Sequence, residues 1–316
     1  MRLRLCLNSL LHFLVDGVCA CCLFQLLADI TTVNTVAVVL TYDILAFMTQ
    51  PLTGWLVDAM KQRQRMLIAA VAFLITATVT ALTVGRWPFI IATLLGIGNS
   101  LFHVWGGRAT TVSTRNDIRA HGVFVSTGAL GLTSGIMFHS WWLLTVYAVL
   151  LCATAALALR YDKNEEVEEC IDPSTPLFKL ESLTHQEILR PIAVAGIMLF
   201  VLFRAWLGER FTMDTDRALP LVAAITCLVW IGKASGGWIA LRLGLVTTIC
   251  IVIAGIGVCW ILHSSSTAAM LAGLFLLNTT MPVTLYLANV FLPRRPGLAF
   301  GLLAAVLVPG YLLAQL

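Results

Sequence analysis

Eleven long runs of apolar residues follow one another along the chain, separated by short polar breaks. Most reach about 20 residues, the length that an α-helix needs to cross a hydrocarbon core about 30 Å thick. Backbone polar groups in lipid must be paired within their own segment, so the runs predict helices and no β-sheet. We therefore predict an all-α polytopic membrane protein with about eleven transmembrane helices, at residues 5–28, 34–59, 66–84, 87–112, 118–138, 140–160, 187–208, 218–243, 245–263, 267–291 and 296–315.

The composition agrees with a lipid environment. Of the 316 residues, 59% are hydrophobic and 11% are charged, and the mean hydropathy is +0.92. With the N-terminus inside, the inner loops and ends hold fifteen of the twenty basic residues and the outer ones only three. The positive-inside rule then predicts a cytoplasmic N-terminus and a multi-pass protein of the cell membrane. The net charge of +4 reflects this topology, so no nucleic-acid partner is expected.

One alternative concerns the first run. A basic start followed by an apolar stretch over residues 1–22 is also the pattern of a signal peptide. The apolar core of a signal peptide should be uninterrupted, whereas His12 and Asp16 interrupt this one. A transmembrane helix is therefore the better interpretation.

One polar stretch is much longer than the other breaks. Eight of the sixteen acidic residues lie between 161 and 187, in a segment too charged for lipid and too short for a domain. It separates six apolar runs from five. We predict an N-terminal six-helix bundle at residues 1–160, a cytoplasmic linker at 161–186, and a C-terminal bundle of about five helices at 187–316.

A few polar side chains lie inside the predicted helices. Asn8, His12 and Asp16 recur every four residues, which places them on one face of the first helix. Asn99 and His103 repeat this spacing in the fourth helix. Because an ionisable group near the bilayer centre is costly unless it has a partner or faces water, such residues are functional candidates.

We assign proton coupling to three of these side chains as a hypothesis. Asp16 is the first candidate because burial and nearby cations act on its charge in opposite directions. His12 is the second because an imidazole titrates near physiological pH, and Asp43 in the second helix is the third. The alternative is that His12 and Asp16 merely pair with each other and fix the first helix to a neighbour.

Four segments carry a resemblance to a known family. They are "LLHFLVD" (10–16), "QPLTGWLVDAMKQRQR" (50–65), "GIGNSLFHVWGGRAT" (96–110) and "PVTLYLANVFLPRRPGLAFG" (282–301). They resemble the major facilitator superfamily and, within it, the branch of fosmidomycin-resistance-type efflux proteins. The resemblance covers most of the chain and implies a two-bundle transporter fold, of which this sequence shows six plus five helices and lacks the twelfth.

The resemblance also implies a central cavity lined by helices 1, 4, 7 and 10. Together with single basic residues in the second half, this gives the substrate-binding candidates Asn8, Asn99, His103, Trp105, Lys233, Arg204 and Asn278. Trp105 could stack on a substrate ring. Lys233 either attracts an anionic group of the substrate or snorkels to the inner surface. Arg204 lies near the outer end of its apolar run, and this position favours snorkelling for Arg204.

The second and third segments imply a gate at the inner side. The superfamily motif matches Gly54, Asp58, Arg63 and Arg65, and Arg108 follows the small-residue turn of the fourth helix. An ordinary positive-inside loop explains the arginines but leaves Asp58 unexplained. We expect its carboxylate to pair with an arginine or a helix end and hold the inner side shut.

These observations predict a secondary active transporter that moves a small organic molecule by alternating access with protons, as a monomer. The resemblance slightly favours efflux over uptake, although Ile136 stands where antiporters of the superfamily often carry proline. The alternative is a non-transporting receptor or scaffold on a reduced transporter fold. No nucleotide loop or nucleophile motif predicts an enzyme. Eight of the nine cysteines lie in apolar runs, so neither a metal nor a cofactor is expected.

Overall fold

The structure is a computed structural model of the chain. It describes residues 2–28, 30, 32–83, 87–161, 177, 186–213 and 218–316, and within these residues it contains helices and turns but no β-strand. The helices are α1 (Arg2–Leu27), α2 (Thr32–Asp43, a π-helical turn Ile44–Met48, and Gln50–Ala59), α3 (Gln64–Thr83), α4 (Pro88–Ser113), α5 (Ile118–Met137), α6 (Trp141–Tyr161), α7 (Gln186–Thr212), α8 (Leu219–Leu243), α9 (Leu245–Leu262), α10 (Thr267–Phe291) and α11 (Pro296–Ala305 and Leu307–Ala314).

The predicted all-α fold with about eleven helices is confirmed. Ten of the eleven helices in the described ranges have the length and hydropathy of a membrane span. The eleventh, α5, has 20 residues but is rich in glycine, serine and threonine. It packs against α1 on one side and α8 on the other, so it needs little apolar surface of its own facing lipid.

Prolines account for the interruptions in α2 and α11. Pro51 has no amide hydrogen to donate to the carbonyl of Phe47, and that carbonyl accepts instead from the amide of Thr49. The side chains of Thr49 and Gln50 return to the carbonyls of Leu45 and Ala46, at 2.6 and 2.7 Å. In α11, Pro309 likewise cannot bond four residues back, and the helix breaks at Val306. Both bends therefore keep most of their polar groups paired.

One apolar cluster is built mainly from α1–α6 and also takes in residues of α7, α10 and α11, whereas a second lies among α7, α9 and α10. We call α1–α6 the first half of the chain and α7–α11 the second half. The predicted linker lies outside the described residues, except for its first and last residues and Leu177. The amide of Leu177 donates to the hydroxyl of Tyr286 at 3.0 Å. This bond attaches the segment between the halves to α10.

The two halves meet through closely packed helix pairs. A Cβ atom at Gly122 of α5 would lie within 3 Å of the carbonyl oxygen of Lys233 in α8, and one at Gly237 would lie as close to that of Ile118. Helices α2 and α11 approach in the same way at Gly54 and Gly297. Small residues permit such contact between helix backbones. All these contacts lie toward one end of the molecule, which we call the basic end because it carries Arg63, Arg65, Arg119, Arg242, Arg294 and Arg295.

Candidate functional site

A cluster of polar side chains joins α1 to α4. Residues four apart face the same way on each helix, so His12 and Asp16 of α1 meet Asn99 and His103 of α4. The Nε2 atoms of the two histidines are 3.0 Å apart. The Asp16 carboxylate lies 3.4 Å from Nε2 of His12, 3.5 Å from Nε2 of His103 and 3.4 Å from Nδ2 of Asn99. The two pairs of residues spaced four apart, one on α1 and one on α4, thus form one site.

Hydrogen bonds to the backbone determine which ring nitrogens carry the protons. Nδ1 of His12 lies 2.7 Å from the carbonyl oxygen of Phe124, and Nδ1 of His103 lies 3.0 Å from that of Asn99. A carbonyl can only accept, so each Nδ1 carries a hydrogen and, in the neutral ring, each Nε2 presents a lone pair. Two imidazole lone pairs and one carboxylate therefore converge on the same point. Such an arrangement is stabilised by a shared cation.

The cluster is buried in the first half yet its carboxylate remains accessible. His12, Asn99 and His103 are 5%, 1% and 7% exposed, whereas the Asp16 side chain keeps 17% of its surface exposed. Lys233 of α8 is near enough to interact electrostatically with Asp16 across the boundary between the halves. The Asp16 side chain is thus not fully enclosed by its neighbours.

Phe300 of α11 covers the side of the cluster that faces the basic end. Its ring centroid is 6.3 Å from that of His103 and 6.2 Å from that of Phe124. A side chain at Gly107 would collide with the Phe300 ring, which shows how closely the second half packs onto α4 here. The sequence analysis missed Phe300, because an apolar residue within an apolar helix gives no signal.

Other predicted substrate residues in the first half do not reach the cluster. Nδ2 of Asn8 donates to the Thr110 hydroxyl at 3.3 Å, and Trp105 is 3% exposed in the apolar core beside Phe102. Asp43 is half-buried on α2, and within the described residues no hydrogen bond or ion pair joins it to Asp16. The three polar residues spaced four apart on α1 therefore have different roles. Asn8 makes a structural contact, whereas His12 and Asp16 belong to the cluster.

The candidates in the second half are dispersed as well. Arg204 is only 7% exposed and donates to the hydroxyl of Thr284 at 3.4 Å, so the expectation that it snorkels to the surface is wrong. Its helix continues to Thr212, which places Arg204 farther from the helix end than the apolar run indicated. Asn278 donates to the carbonyl of Leu274 within its own helix at 2.8 Å.

Asp58 connects the two halves at the basic end. Its Oδ1 accepts from the amide of Gly297 at 3.0 Å and its Oδ2 from that of Leu298 at 2.9 Å. These amides begin α11, where the helix dipole favours a negative charge. Nε of Arg108 forms an ion pair with the same carboxylate at 3.3 Å. We call Asp58, Arg108, Gly297 and Leu298 the latch.

The remaining predicted gate residues take different places. Arg63 is partly buried and interacts electrostatically with Asp58, whereas Arg65 is exposed at the start of α3. Gly54 lies one helical turn before Asp58 and permits a close approach to α11. The latch is therefore built from α2, α4 and the first turn of α11.

A second contact between the halves uses the turn before α5. Asn116, with φ of 51°, donates from Nδ2 to the carbonyl of Tyr286 at 3.2 Å. Its Oδ1 lies 2.6 Å from Nε2 of His121, which is fully buried. In the sequence this contact is signalled by the polar turn "TRND" (114–117).

Asp117 stabilises the start of α5 without crossing between the halves. It accepts from the Arg119 amide at 2.9 Å and from the Arg119 guanidinium at 2.7 Å. Burial alone would raise the pKa of Asp117, but these bonds outweigh it and hold the pKa below its usual value. Asp117 is thus a cap at the same end of the molecule as the latch but independent of it.

We expect Gly54→Ala to destabilise the protein although alanine favours helices. A Cβ at this position would collide with the Gly297 carbonyl, and overpacking a tight contact costs about 1–3 kcal/mol. Gly257→Ala in α9 is the control, because a Cβ there meets nothing within 4 Å and alanine should gain about 1 kcal/mol in helix propensity. Thermal unfolding in detergent should give shifts of opposite sign for the two variants. A stabilised Gly54→Ala variant would contradict the packing argument.

Comparisons with known proteins identify the fold. No family model and no curated protein matches the chain. A crystal structure of a variant of the Escherichia coli fucose:proton symporter FucP is similar, at 11% identity with a TM-score of 0.69. A crystal structure of FucP described as a major facilitator superfamily transporter in the outward conformation is similar at 12% identity with a TM-score of 0.67. The human organic anion transporter MFSD10 (TETRAN) is similar at 14% identity with a TM-score of 0.68. Each alignment covers 98% of this chain and 90% of the other. The chain has the fold of the major facilitator superfamily transporters.

Proposed function

We propose that this protein is a secondary active transporter that moves a small organic molecule across a membrane by alternating access. One observation carries the proposal: a partly accessible carboxylate cluster lies directly above Phe300, and the helix that carries Phe300 is held by Asp58 of the opposite half. Residues 297, 298 and 300 belong to the first turn and a half of α11. Any movement that breaks the latch therefore also displaces the ring that covers the cluster.

The transport cycle follows from this coupling. With the latch formed, the halves are joined at the basic end and the cluster is closed on that side. When the halves rock, Asp58 leaves the amides of α11, and Phe300 moves away from His103. The cluster then opens toward the basic end, which the positive-inside rule assigns to the cytoplasm.

Proton coupling is assigned to Asp16, with His12 as its neighbour and Asp43 as a further candidate. A carboxylate that is accessible from alternate sides can take up a proton on one side and release it on the other. FucP is described as a proton symporter and MFSD10 as an organic anion transporter, so this fold serves both kinds of activity. The resemblance to the fosmidomycin-resistance-type branch favours efflux, and Ile136 weakens that preference.

The proposal also places the protein in its membrane. We assign it to the cell membrane as a monomer with a cytoplasmic N-terminus, and we keep the division into residues 1–160, 161–186 and 187–316. The linker would then lie on the cytoplasmic side. No part of the proposed mechanism requires a cofactor.

Counterflow in proteoliposomes tests the proposal. A thermal-shift screen of purified protein with sugars, organic anions and organic cations selects the ligand, because a ligand that binds the folded state raises its stability. Vesicles loaded with that unlabelled ligand should then take up the labelled form transiently. Binding without exchange would instead favour the receptor or scaffold interpretation.

We expect Lys233→Gln to abolish binding of an anionic ligand. Lys233 is half-buried on α8, and its charge lies near enough to interact electrostatically with Arg204 and with Asp16 of the cluster. Ligand-induced thermal shifts measure the effect, with Arg242→Gln at the end of the same helix as the control. Unchanged binding of an anion by the Lys233 variant would show that this lysine snorkels to the surface.

A further inference from the structure

We infer that His12, His103 and Asp16 form a binding site for one divalent transition-metal ion of the first row, such as Zn²⁺ or Co²⁺. The inference goes beyond the proposed function, which requires only a proton on the carboxylate. The metal ligands are Nε2 of each histidine and one carboxylate oxygen of Asp16.

The separations of the ligand atoms match those around a metal ion. Bonds of about 2.0–2.2 Å at tetrahedral angles place neighbouring ligand atoms about 3.3–3.5 Å apart. In the cluster the two Nε2 atoms are 3.0 Å apart, Oδ2 of Asp16 lies 3.4 Å from that of His12, and Oδ1 lies 3.5 Å from that of His103. An ion could therefore enter once a rotation of the carboxylate brings one oxygen toward both histidines.

The surrounding hydrogen bonds are those of metal-binding histidines. A ligating imidazole almost always donates its other N–H to a carbonyl or carboxylate, which fixes the tautomer and directs the lone pair at the metal. Both histidines do so here, to Phe124 and Asn99. Two histidines that only formed a structural hydrogen bond with each other would place one N–H and one lone pair at this contact. Here both Nε2 atoms present a lone pair.

Asn99 supplies a fourth ligand. It is 1% exposed, and its Oδ1 is buried with no hydrogen-bond partner in the described structure. Its amide nitrogen lies 3.4 Å from Asp16, so rotating the amide by half a turn directs the oxygen into the cluster. This rotation would satisfy the buried oxygen and complete a tetrahedral set of two nitrogen and two oxygen ligands.

Gly128 of α5 leaves the space that an ion requires. A Cβ at this position would come within 3 Å of both the Asp16 carboxylate and Nε2 of His12. The glycine also lies three residues before Gly131, which packs against the backbone of Phe13. Helix α5 thus approaches α1 closely while keeping the centre of the cluster open.

The ligand types determine the class of ion. Imidazole together with carboxylate suits zinc, cobalt, iron and nickel, whereas Mg²⁺ and Ca²⁺ prefer oxygen ligands alone. The charge of Lys233 acts on the same carboxylate and opposes a second cation, which lowers the affinity. Cys19 and Tyr42 also lie close enough to interact electrostatically with Asp16.

Titration of the purified full-length protein in detergent tests the inference, with Zn²⁺ measured by calorimetry and Co²⁺ by its visible absorption. We expect one ion per chain and absorption bands typical of tetrahedral Co²⁺. His12→Gln, His103→Gln and Asp16→Asn should each lower the affinity at least tenfold. His139→Gln is the matched control, because His139 is exposed outside the cluster, and it should bind as the wild type does.

Gly128→Ala provides a test that keeps every ligand. Its Cβ fills the space for the ion, so Zn²⁺ affinity should fall while the thermal stability shows whether the variant still folds. The inference is overturned if the wild type binds no ion, or if the three ligand variants bind like His139→Gln. Counterflow measured with EDTA present reports on the transporter proposal alone, so the two failures are distinguishable.

Discussion

Hydrogen exchange at the amides of Gly297 and Leu298 should accelerate about 10- to 100-fold in Asp58→Asn. The aspartate carboxylate accepts from both amides and pairs with Arg108 while its side chain is 7% exposed. A hydrogen bond to a charged group contributes about 1.5–3 kcal/mol, and about 1.4 kcal/mol corresponds to a tenfold change in an equilibrium. Asparagine retains one acceptor oxygen and no charge, so the open state of the basic end becomes more populated.

Asp117→Asn is the matched control for this experiment. It removes a carboxylate that caps α5 at the same end of the molecule and is bonded to Arg119 of its own half. Asparagine can still cap the helix but loses the charge that pairs with the Arg119 guanidinium, so this variant should also be somewhat destabilised. Only Asp58→Asn should accelerate exchange at the start of α11. Equal acceleration in both variants would show that the effect is general loosening and would remove Asp58 from the gate.

Asp16→Asn should abolish accumulation of the substrate driven by a pH gradient and leave counterflow intact. Asparagine preserves the shape of the side chain but cannot release a proton, so the protein can still rock with substrate bound. A gradient of one pH unit supplies about 1.4 kcal/mol for each proton, enough for about tenfold accumulation by the wild type. We expect no accumulation above the external concentration in the variant.

Asp43→Asn serves as the comparison for this prediction. Asp43 is half-buried on α2 and is the other carboxylate to which the sequence analysis assigned proton coupling. If Asp16 carries the proton, the Asp43 variant keeps its gradient-driven accumulation. The reverse result, with accumulation lost in Asp43→Asn and kept in Asp16→Asn, would move the coupling site to α2.

The helical content and the positions of the helices could be predicted from the sequence. Apolar runs of about 20 residues leave no alternative to a helix in lipid, and each predicted run corresponds to one observed helix. The interruptions of α2 and α11 were not predicted. They depend on how the carbonyls that Pro51 and Pro309 leave unpaired are satisfied by neighbouring groups, which an apolar pattern does not record.

The burial of the Arg204 side chain could not be predicted from its position along the apolar run. Its distance from the end of the apolar run favoured snorkelling, yet the helix extends beyond the run and the side chain turns toward α10. The role of Phe300 could not be predicted either, because nothing in its sequence context distinguishes it from a lipid-facing phenylalanine. In both cases the deciding contact is made by a different helix.

The sequence by itself determined which residues share a helix face, because a four-residue spacing places His12 with Asp16 and Asn99 with His103 whatever the rest of the chain does. It also determined that Asp58 ends a helix beside basic residues. Only the tertiary structure decided that the two faces meet with both Nε2 lone pairs and one carboxylate at a single point, and that the partner of Asp58 is the first turn of α11. Helix periodicity is local, whereas the pairing of faces depends on packing between segments some 80 to 240 residues apart.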